Sequence, residues 1–360
     1  MKQPLDFPGA PGKNRTCGLQ LRRLSLYPTE LRAHGTCLAF PRACCQGTRR
    51  LDKARRTRNC LHMASVARNV RGRLAPSPTG YIHLGNAWAF LCAWLAARAS
   101  EGTVVLRLED IDPARSRPEF ADGLLRDLEW LGLDWDEGPA AGGAFGPYIQ
   151  SQRFSLYEKT LSRLDAAGYV YPCFCTRKEL RSLAGAPHGP EEAPYPGTCR
   201  NLTSEMRGKR LAAGKKATLR FHFPKAAEAF YDLIAGRHPP SGEARSNDFA
   251  LRRSDGVYSY QLAVVADDAA MGINQVVRGN DLLHCTPQQI QLFSALGAQP
   301  PEYAHVPLVL DARGERLAKR HHGLEVRALR ECGASPAALI GYLAWRGGLM
   351  REVADRKSVV

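Results

Sequence analysis

Apolar and polar positions divide the chain, after about residue 70, into alternating strands and helices. A short apolar segment leads into a turn broken by Pro and Gly, and an Ala/Leu/Trp-rich helix is predicted over residues 87–99. A β-branched strand follows at residues 103–108, and leucines at helical spacing predict an amphipathic helix over residues 119–131. Strands and helices that alternate in this way are typical of an α/β fold with a parallel sheet.

Later segments extend the same pattern. Two Val-rich segments, residues 258–268 and 276–281, are predicted as strands that each end in polar residues, and residues 335–349 are predicted as a closing helix. Ligands of open parallel sheets bind outside the carboxyl ends of the strands, so these polar residues should line one crevice. Apolar runs stay well below the roughly 20 residues that a membrane span needs. We therefore expect a soluble, cytoplasmic protein that does not contact a membrane, and we also expect a monomer.

The first 62 residues differ from the rest because they show no sustained apolar period. They hold 13 Lys and Arg against three acids, so much of the net charge of +15 lies there. Three interpretations are open: an organelle transit peptide, a basic tail that touches RNA, or sequence upstream of a later start at Met63. We favour the third. The milder positive charge of the remaining chain fits a nucleic-acid partner.

The most informative stretch is residues 71–86, RGRLAPSPTGYIHLGN, which places a glycine-containing turn in front of a helix. Free backbone N–H groups and the positive end of the helix dipole can hold a phosphate there. Gly80 and Gly85 allow close approach of the backbone, and His83 adds a donor beside the anion. Taken alone, the His-x-Gly pair also fits a loop histidine in front of a core helix.

The whole block, RxAPSPTG followed by xxHxG, closely resembles the first signature of the glutamyl/glutaminyl class of tRNA synthetases, with Asn86 in place of that motif's last His. The resemblance continues through RxEDxD at residues 107–112, YxxAxVxDD from Tyr260, VxRG around Arg278 and a basic loop at residues 316–320. It implies a class I, Rossmann-like catalytic domain that activates L-glutamate with ATP and Mg²⁺, forming glutamyl-AMP and pyrophosphate.

The resemblance also implies roles for single residues. Those that bind glutamate are Arg73, Leu74, Ala75, Pro76, Ser77, Glu109, Tyr260 and Arg278. Those that bind ATP are His83, Gly85, Asn86 and Lys319, of which His83 and Lys319 are catalytic. Lys319 matches the second Lys of the KMSKS loop, which neutralises phosphate charge as pyrophosphate leaves, while Arg316 and Ala318 replace that loop's first Lys and its Ser. On charge alone, the same segment is a solvated basic loop.

The charges of this residue set complement those of glutamate, which carries two carboxylates and an ammonium. Arg73 and Arg278 suit the carboxylates because the planar fork of Arg can donate two parallel hydrogen bonds, and Glu109 suits the ammonium. The sequence does not decide which arginine binds the γ-carboxylate, although we lean to Arg73. Without the resemblance, Arg278 is equally well explained by pairing with Asp268 or Asp281.

Three cysteines have a spacing that differs from the other eight. Cys173 and Cys175 share one turn, and Cys199 follows beyond a polar loop, so three thiolates can supply most of a tetrahedral zinc shell. Unpaired thiols are the alternative. General chemistry offers His188 as the fourth ligand. The arrangement CxC…YxxxC, however, resembles the zinc knuckle of the short glutamyl-Q tRNA(Asp) synthetases, which nominates Tyr195 and implies one structural zinc ion.

The motifs predict five regions along the chain: a basic leader at 1–62, the first half of the catalytic domain at 63–165, an inserted acceptor and zinc-knuckle region at 166–245, the second half with the KMSKS-like loop at 246–332, and a closing helix and tail at 333–360. Forty residues follow position 320, which leaves no room for an anticodon-binding domain.

The short length and the knuckle together resemble the glutamyl-Q tRNA(Asp) synthetases, which transfer activated glutamate to the queuosine base in the anticodon of tRNA(Asp). A truncated glutamyl-tRNA synthetase that charges a tRNA 3′ end is one alternative. A catalytically silent paralogue that only binds RNA is the other.

Overall fold

The structure is a computed structural model of the 360-residue chain. It describes residues 25–26, 69–176, 178–180, 195–223, 227–240, 248–310 and 325–350.

The chain first builds a strand–helix–strand unit. Strand β2 (Arg71–Leu74) pairs in parallel with β3 (Thr103–Leu106), and helix α1 (Leu84–Arg98) connects them. Such a crossover is what parallel pairing requires. Helix α2 (Pro118–Leu131) follows β3 and ends at Gly132, whose positive φ of 73° terminates the helix in a left-handed turn. These helices begin and end within a few residues of their predicted bounds.

A four-stranded sheet lies beside this unit in the order β7-β6-β10-β9. Its strands are β6 (Phe230–Asp232), β7 (Gly236–His238), β9 (Gln275–Gly279) and β10 (Glu302–Val306). Strand β10 pairs in parallel with both β9 and β6, whereas β7 is antiparallel to β6.

Strand β9 adjoins β2 and runs in the same direction. Arg71 N donates to Asn274 Oδ1 (2.8 Å) at the start of both strands, and further along Arg73 Nη1 donates to Val277 O (3.2 Å). The carboxyl ends of β2, β3 and β9 therefore meet at one edge, where open parallel sheets bind ligands. The predicted α/β fold with a parallel sheet is confirmed.

The segment predicted as a strand over residues 258–268 is a helix, α5 (Tyr260–Ala270), so that prediction is wrong. Ser259 caps it, because its side chain accepts a hydrogen bond from Leu262 N (3.3 Å). Every position from 262 to 268 is buried, so the apolar residues show no helical period. A short, fully buried helix cannot be told from a buried strand by periodicity alone. The second predicted strand is β9.

A smaller antiparallel sheet has the order β4-β5-β8 and its own aromatic core. The sheet comprises β4 (Val170–Cys173), β5 (Thr218–Phe221) and β8 (Ala250–Arg252). With helices α3 (Phe154–Ala166) and α4 (Ser204–Ala212) it makes up what we call the smaller unit. Strands β6 and β7 fall within the predicted insertion at 166–245, yet they join the larger sheet. The domain boundaries stay a prediction.

Five more helices and strands complete the described fold. They are β1 (Ser25–Leu26), α6 (Thr286–Ala295), β11 (Val309–Leu310), α7 (Val326–Glu331) and α8 (Pro336–Arg346). Strand β1 pairs antiparallel with β11, and α8 is followed by Gly347, where a Cβ atom would lie 2.0 Å from the ring of Trp88. In the part of the chain described by the structure, no helix combines the length and apolar character needed to cross a membrane.

Candidate active site

A cleft of about 360 Å³ opens at the carboxyl ends of β2, β3 and β9. The predicted site residues that line it are Arg73, Ala75, Pro76, Ser77, His83, Gly85, Asn86, Glu109, Tyr260 and Arg278. Leu74 does not line the cleft. Its side chain is fully buried in the main core, because neighbouring strand residues point to opposite faces, and it contributes a carbonyl that accepts from Arg107 N (2.9 Å). Lys319, Arg316 and Ala318 lie outside the described residues.

His83 caps the N-terminus of α1 and fixes its own tautomer there. Its Nδ1 accepts a hydrogen bond from Asn86 N (3.3 Å), so the proton of the neutral imidazole is on Nε2. A Cβ atom at Gly85 would lie 3.0 Å from His83 Cε1, which explains why the smallest residue stands beside the ring. His83, Gly85 and Asn86, at the start of this 15-residue helix, all line the cleft, an arrangement suited to phosphate.

Both ends of the segment that contains Lys319 adjoin this helix start. Val309, in the strand before the segment, lines the cleft. After the segment, Glu325 forms an antiparallel bridge with His83, and Val326 N donates to Ile82 O (2.7 Å). The described residues on either side of 311–324 therefore adjoin the cleft and the start of α1.

Arg73 is a buried cation whose N–H groups are only partly used in hydrogen bonds to the described residues. Its side chain is 5% exposed, and Nη1 donates to Val277 O (3.2 Å). Within the described structure its buried Nε has no hydrogen-bond partner and lies 3.8 Å from Asp268 Oδ2. Burial lowers the pKa of Arg73, and Asp268 opposes that shift. Buried donors without a hydrogen-bond partner are uncommon in folded proteins.

Glu109 is held by Arg107, which is completely buried. Arg107 Nη2 donates to Glu109 Oε1 (3.0 Å), Nη1 donates to Asp268 Oδ1 (2.7 Å), and Nε lies 3.7 Å from Asp267 Oδ2. Burial acts to lower the pKa of Arg107, but Asp268, Asp267 and Glu109 outweigh it and raise that pKa well above its ordinary value. Burial raises the pKa of Glu109, with Arg107 opposing.

Asp267 extends this network away from the cleft. Its carboxylate accepts hydrogen bonds from Arg153 Nε (2.6 Å), Gln150 Nε2 (2.9 Å) and the Tyr157 hydroxyl (2.9 Å). The sequence interpretation assigned no role to Arg107 or Asp267, and it considered Asp268 only as a partner of Arg278. The signal that was available is the Asp doublet in an otherwise apolar run, since buried carboxylates need cationic partners.

Arg278 lies in the cleft wall, 5% exposed, with a different kind of environment. It donates from Nε to His305 Nε2 (3.0 Å), from Nη1 to Gln289 Oε1 (2.9 Å) and the Tyr260 hydroxyl (3.5 Å), and from Nη2 to Thr286 Oγ1 (3.0 Å) and Leu282 O (3.3 Å). Among the residues that the structure describes, none of these acceptors is a carboxylate. Pairing with Asp268 or Asp281 therefore does not account for Arg278.

The three cysteines with distinctive spacing come together in the smaller unit. The sulfurs of Cys173, Cys175 and Cys199 all lie within 4.8 Å of one another, and Cys175 Sγ is 3.6 Å from Cys199 Sγ. Tetrahedral zinc with sulfur at about 2.3 Å needs sulfurs about 3.8 Å apart, so the spacing fits. The Tyr195 hydroxyl lies 3.3 Å from Cys173 Sγ and accepts from Cys199 N (2.8 Å). His188 lies outside the described residues.

Two arginines add positive charge to this cluster. Arg220 stacks over the Tyr195 ring (3.9 Å to its centre), and Arg210 Nη1 lies 3.7 Å from Cys199 Sγ. Burial acts to raise the pKa of Cys173, but the hydrogen bond with Tyr195 and the charge of Arg220 outweigh it and lower that pKa. Burial, then the neighbouring Cys173, raises the pKa of Cys175 to about 12. Cationic surroundings favour the thiolate form that binds metal.

Known proteins similar to this chain are tRNA synthetases. The catalytic domain of class I tRNA synthetases (E and Q) matches residues 69–358. The glutamyl-Q tRNA(Asp) synthetase of Nitratidesulfovibrio vulgaris is 60% identical over 288 residues, which are 80% of this chain and 89% of that protein. The glutamate–tRNA ligase 2 of Alkalilimnicola ehrlichii is 45% identical over 282 residues, 78% of this chain and 59% of that protein.

A solved structure gives the same result. The glutamate–tRNA synthetase of Elizabethkingia anophelis superposes with a TM-score of 0.67 at 30% identity, covering 77% of this chain and 61% of that one. The chain therefore spans most of the first relative and about three fifths of the second relative and of the solved synthetase.

Proposed function

Since this chain belongs to the family of class I tRNA synthetases for glutamate and glutamine, on its glutamyl-Q tRNA(Asp) synthetase branch, we propose that it activates L-glutamate with ATP and transfers the glutamyl group to the queuosine base of tRNA(Asp). The main observation in support is the arrangement of buried charges in the cleft. Two buried guanidinium groups, Arg73 and Arg278, and one buried carboxylate, Glu109, lie beside the start of α1. Free glutamate has the complementary set, two carboxylates and one ammonium.

In this proposal Arg73 binds the γ-carboxylate, Arg278 the other carboxylate, and Glu109 the ammonium. Arg73 lines the cleft and makes one side-chain hydrogen bond among the described residues, from Nη1 to Val277 O, which supports the first assignment because its other Nη donors can bind a carboxylate. The neutral partners of Arg278 support the second, because they leave its positive charge for a ligand. Tyr260, whose hydroxyl lies 3.5 Å from Arg278 Nη1, borders the same space.

Activation then needs positioning and charge neutralisation. An oxygen of the glutamate α-carboxylate attacks the α-phosphorus of ATP, the bond from that phosphorus to the bridging oxygen breaks, and pyrophosphate leaves with the electron pair. His83 Nε2–H and the backbone at the start of α1 stabilise phosphate charge, Lys319 neutralises the departing pyrophosphate, and Mg²⁺ accompanies ATP. Neither a covalent enzyme intermediate nor a general base is required.

The proposal includes one structural zinc ion held by Cys173, Cys175, Cys199 and Tyr195. The sulfur spacing and the nearby Arg210 and Arg220 support it. When bound, zinc contributes folding free energy to the smaller unit. Metal analysis of freshly purified protein should give close to one zinc per chain, and Cys173→Ser should lower it. Full zinc occupancy in Tyr195→Phe would exclude the tyrosine as a ligand.

Pyrophosphate exchange with glutamate and ATP, without tRNA, tests the activation half. Glutamine should be activated on the order of tenfold to a hundredfold less well, because its neutral amide forgoes a charge-assisted bond worth about 1.5–3 kcal/mol. Equal rates for the two amino acids would reject the assignment of the arginines. Absence of glutamate-dependent exchange would favour an RNA-binding paralogue without catalytic activity.

Transfer of labelled glutamate to tRNA(Asp), with and without queuosine, tests the acceptor. We expect label only on queuosine-containing tRNA. We also expect this label not to depend on an intact 3′ end of the tRNA. Label that depends on an intact 3′ end and not on queuosine would instead identify a glutamyl-tRNA synthetase.

A further inference from the structure

Arg278 is connected to a line of buried side chains that leads away from the cleft. Arg278 Nε donates to His305 Nε2 (3.0 Å), and His305 Nδ1 lies 2.6 Å from Asp232 Oδ2. His305 is 1% exposed and Asp232 is 0% exposed. The three residues lie on β9, β10 and β6, which are adjacent parallel strands, so the line crosses the sheet from the cleft wall toward β7.

The hydrogen bonds dictate where the protons are. The Nε of Arg always carries a hydrogen, so His305 Nε2 must offer its lone pair, and the ring proton is then on Nδ1. That proton is donated to Asp232. A neutral ring with the Nδ1–H tautomer is the form that satisfies both neighbours.

Asp232 is itself fixed by the backbone. Its Oδ1 accepts from the N–H groups of Ala235 (2.7 Å), Ile234 (3.0 Å) and His305 (3.1 Å), which leaves Oδ2 for the imidazole. Burial acts to raise the pKa of Asp232, but the hydrogen bonds from the His305 ring and from the backbone N–H groups of Ala235 and His305, together with the His305 charge, outweigh it and lower that pKa. The carboxylate therefore stays ionised and keeps accepting.

The other groups around His305 do not replace these partners. Thr286 Oγ1 lies 3.3 Å from His305 Nε2, the ring of Tyr303 stacks at 6.1 Å between centres, and the Arg73 charge lies farther off. Burial lowers the pKa of His305, and Asp232 opposes that shift. At neutral pH the ring is uncharged.

We propose that His305 and Asp232 are positioning residues for amino-acid binding: His305 holds the Arg278 guanidinium in the orientation that receives a glutamate carboxylate, and Asp232 selects the tautomer that makes this possible. Neither residue belongs to the described lining of the cleft, so both act through Arg278. The inference rests on the proposed function, since it assumes that Arg278 binds glutamate.

Variants of the full-length protein separate positioning from a purely structural role. His305→Leu removes the acceptor for Arg278 and should raise the KM for glutamate in pyrophosphate exchange by about tenfold or more, while the KM for ATP stays within about twofold. His305→Gln keeps an acceptor oxygen and should restore the KM for glutamate to within about threefold of wild type. Parallel rises in both KM values, or no rescue by Gln, would overturn the inference.

The pH profile provides a readout that a structural role would not change. As pH falls below the ordinary histidine range, a proton enters Nε2 and faces the Arg278 N–H, so the KM for glutamate should rise. Glu109 also titrates in acid, but it is present in both proteins, so the difference between wild type and His305→Gln reports His305. Identical acid limbs in the two proteins would contradict the proposal.

Nitrogen-15 NMR of the His305 ring decides the tautomer without any assay of activity. The wild-type protein at pH 7 should show a protonated Nδ1 and an unprotonated Nε2, and Asp232→Asn should increase the Nε2–H form. An Nε2–H ring in wild type would overturn the inference even if glutamate is activated. If wild type shows no exchange, the proposed function fails, and the NMR result still decides whether Asp232 sets the tautomer.

Discussion

Arg107 and Arg278 are both buried arginines of the same site, yet their surroundings differ in charge. Arg107, whose side chain is completely buried, faces the carboxylates of Glu109, Asp267 and Asp268. Arg278 is nearly as buried, but its acceptors in the described part of the chain are all neutral. The charge of Arg107 is compensated by carboxylates inside the protein, whereas no carboxylate among the described residues accepts a hydrogen bond from Arg278. Burial therefore identifies an important arginine, and the charge of its partners indicates its role.

Arg73 is intermediate between these two. It approaches Asp268, which also accepts from Arg107, but only at 3.8 Å and without a hydrogen bond from Nε. Its charge is partly compensated, and its donors are partly available. The three arginines thus form a graded series, from one surrounded by carboxylates to one surrounded by neutral acceptors.

The largest effect is expected when the compensated arginine is removed. Arg107→Leu leaves three buried carboxylates without their shared cation, which should lower the free energy of unfolding by about 3–5 kcal/mol. Urea denaturation at pH 7 measures it. Arg107→Lys, which keeps the charge, is the matched control and should lose less. A loss below about 1 kcal/mol for the Leu variant would mean that the carboxylates do not depend on Arg107.

Removing the other arginine should affect binding more than folding. Arg278→Met deletes a charge that no carboxylate in the described structure needs, so we expect the KM for glutamate to rise on the order of tenfold to a hundredfold. The loss of stability should be smaller than for Arg107→Leu, because only neutral acceptors are orphaned. Exchange kinetics and urea denaturation, done side by side, compare the two. If Arg278→Met lost more stability than Arg107→Leu, the contrast between the two arginines would be wrong.

Glu109 accepts a hydrogen bond from Arg107 and, in the proposal, binds the ammonium of glutamate, so replacing it tests both contacts. Burial raises the pKa of Glu109, so in wild type the KM for glutamate should rise as the pH is lowered toward that pKa and the carboxylate becomes protonated. Glu109→Gln should raise the KM about fivefold at pH 7, since a neutral amide oxygen replaces a charged acceptor at a cost of about 1 kcal/mol. The Gln variant should also lose this part of the pH dependence. An unchanged KM at every pH would remove Glu109 from the site.

The smallest effect is expected for an ion pair exposed on the protein surface. Lys209 Nζ lies 2.6 Å from Glu205 Oε1 one turn earlier on α4, and both side chains are 75% exposed. Lys209→Ala should change the free energy of unfolding by no more than about 0.5 kcal/mol and leave glutamate exchange without tRNA unchanged. A loss comparable to that of Arg107→Leu would show that burial does not distinguish these arrangements.

Motifs with residues close together in sequence could be predicted from the sequence. The signature at residues 71–86 identified the family, and the comparisons confirm that recognition. Its turn and helix start depend on local hydrogen bonds, such as that from Asn86 N to His83 Nδ1. Strand β9 and helix α2 were predicted for the same reason, because their own apolar pattern determines them.

Features that depend on distant partners could not be predicted. Helix α5 is buried around its whole circumference, so its pattern carried no period. Asp232 and His305 lie in ordinary-looking strands, and only the parallel pairing of β6 with β10 brings them together. Leu74 matched the motif by position, but the alternation of strand side chains directs it into the core.

The pairing of β6 with β10 has a consequence for the order in which the protein is made. Asp232 and His305 are 73 residues apart, and the bond from Arg73 to Val277 spans 204 residues. On the ribosome, the β2-α1-β3 unit emerges early and can already present His83, whereas Arg278 lacks its acceptor His305 until β10 has been synthesised. A nascent chain therefore places His83 at the start of α1 well before Arg278 gains the partner on β10 that completes its hydrogen bonds.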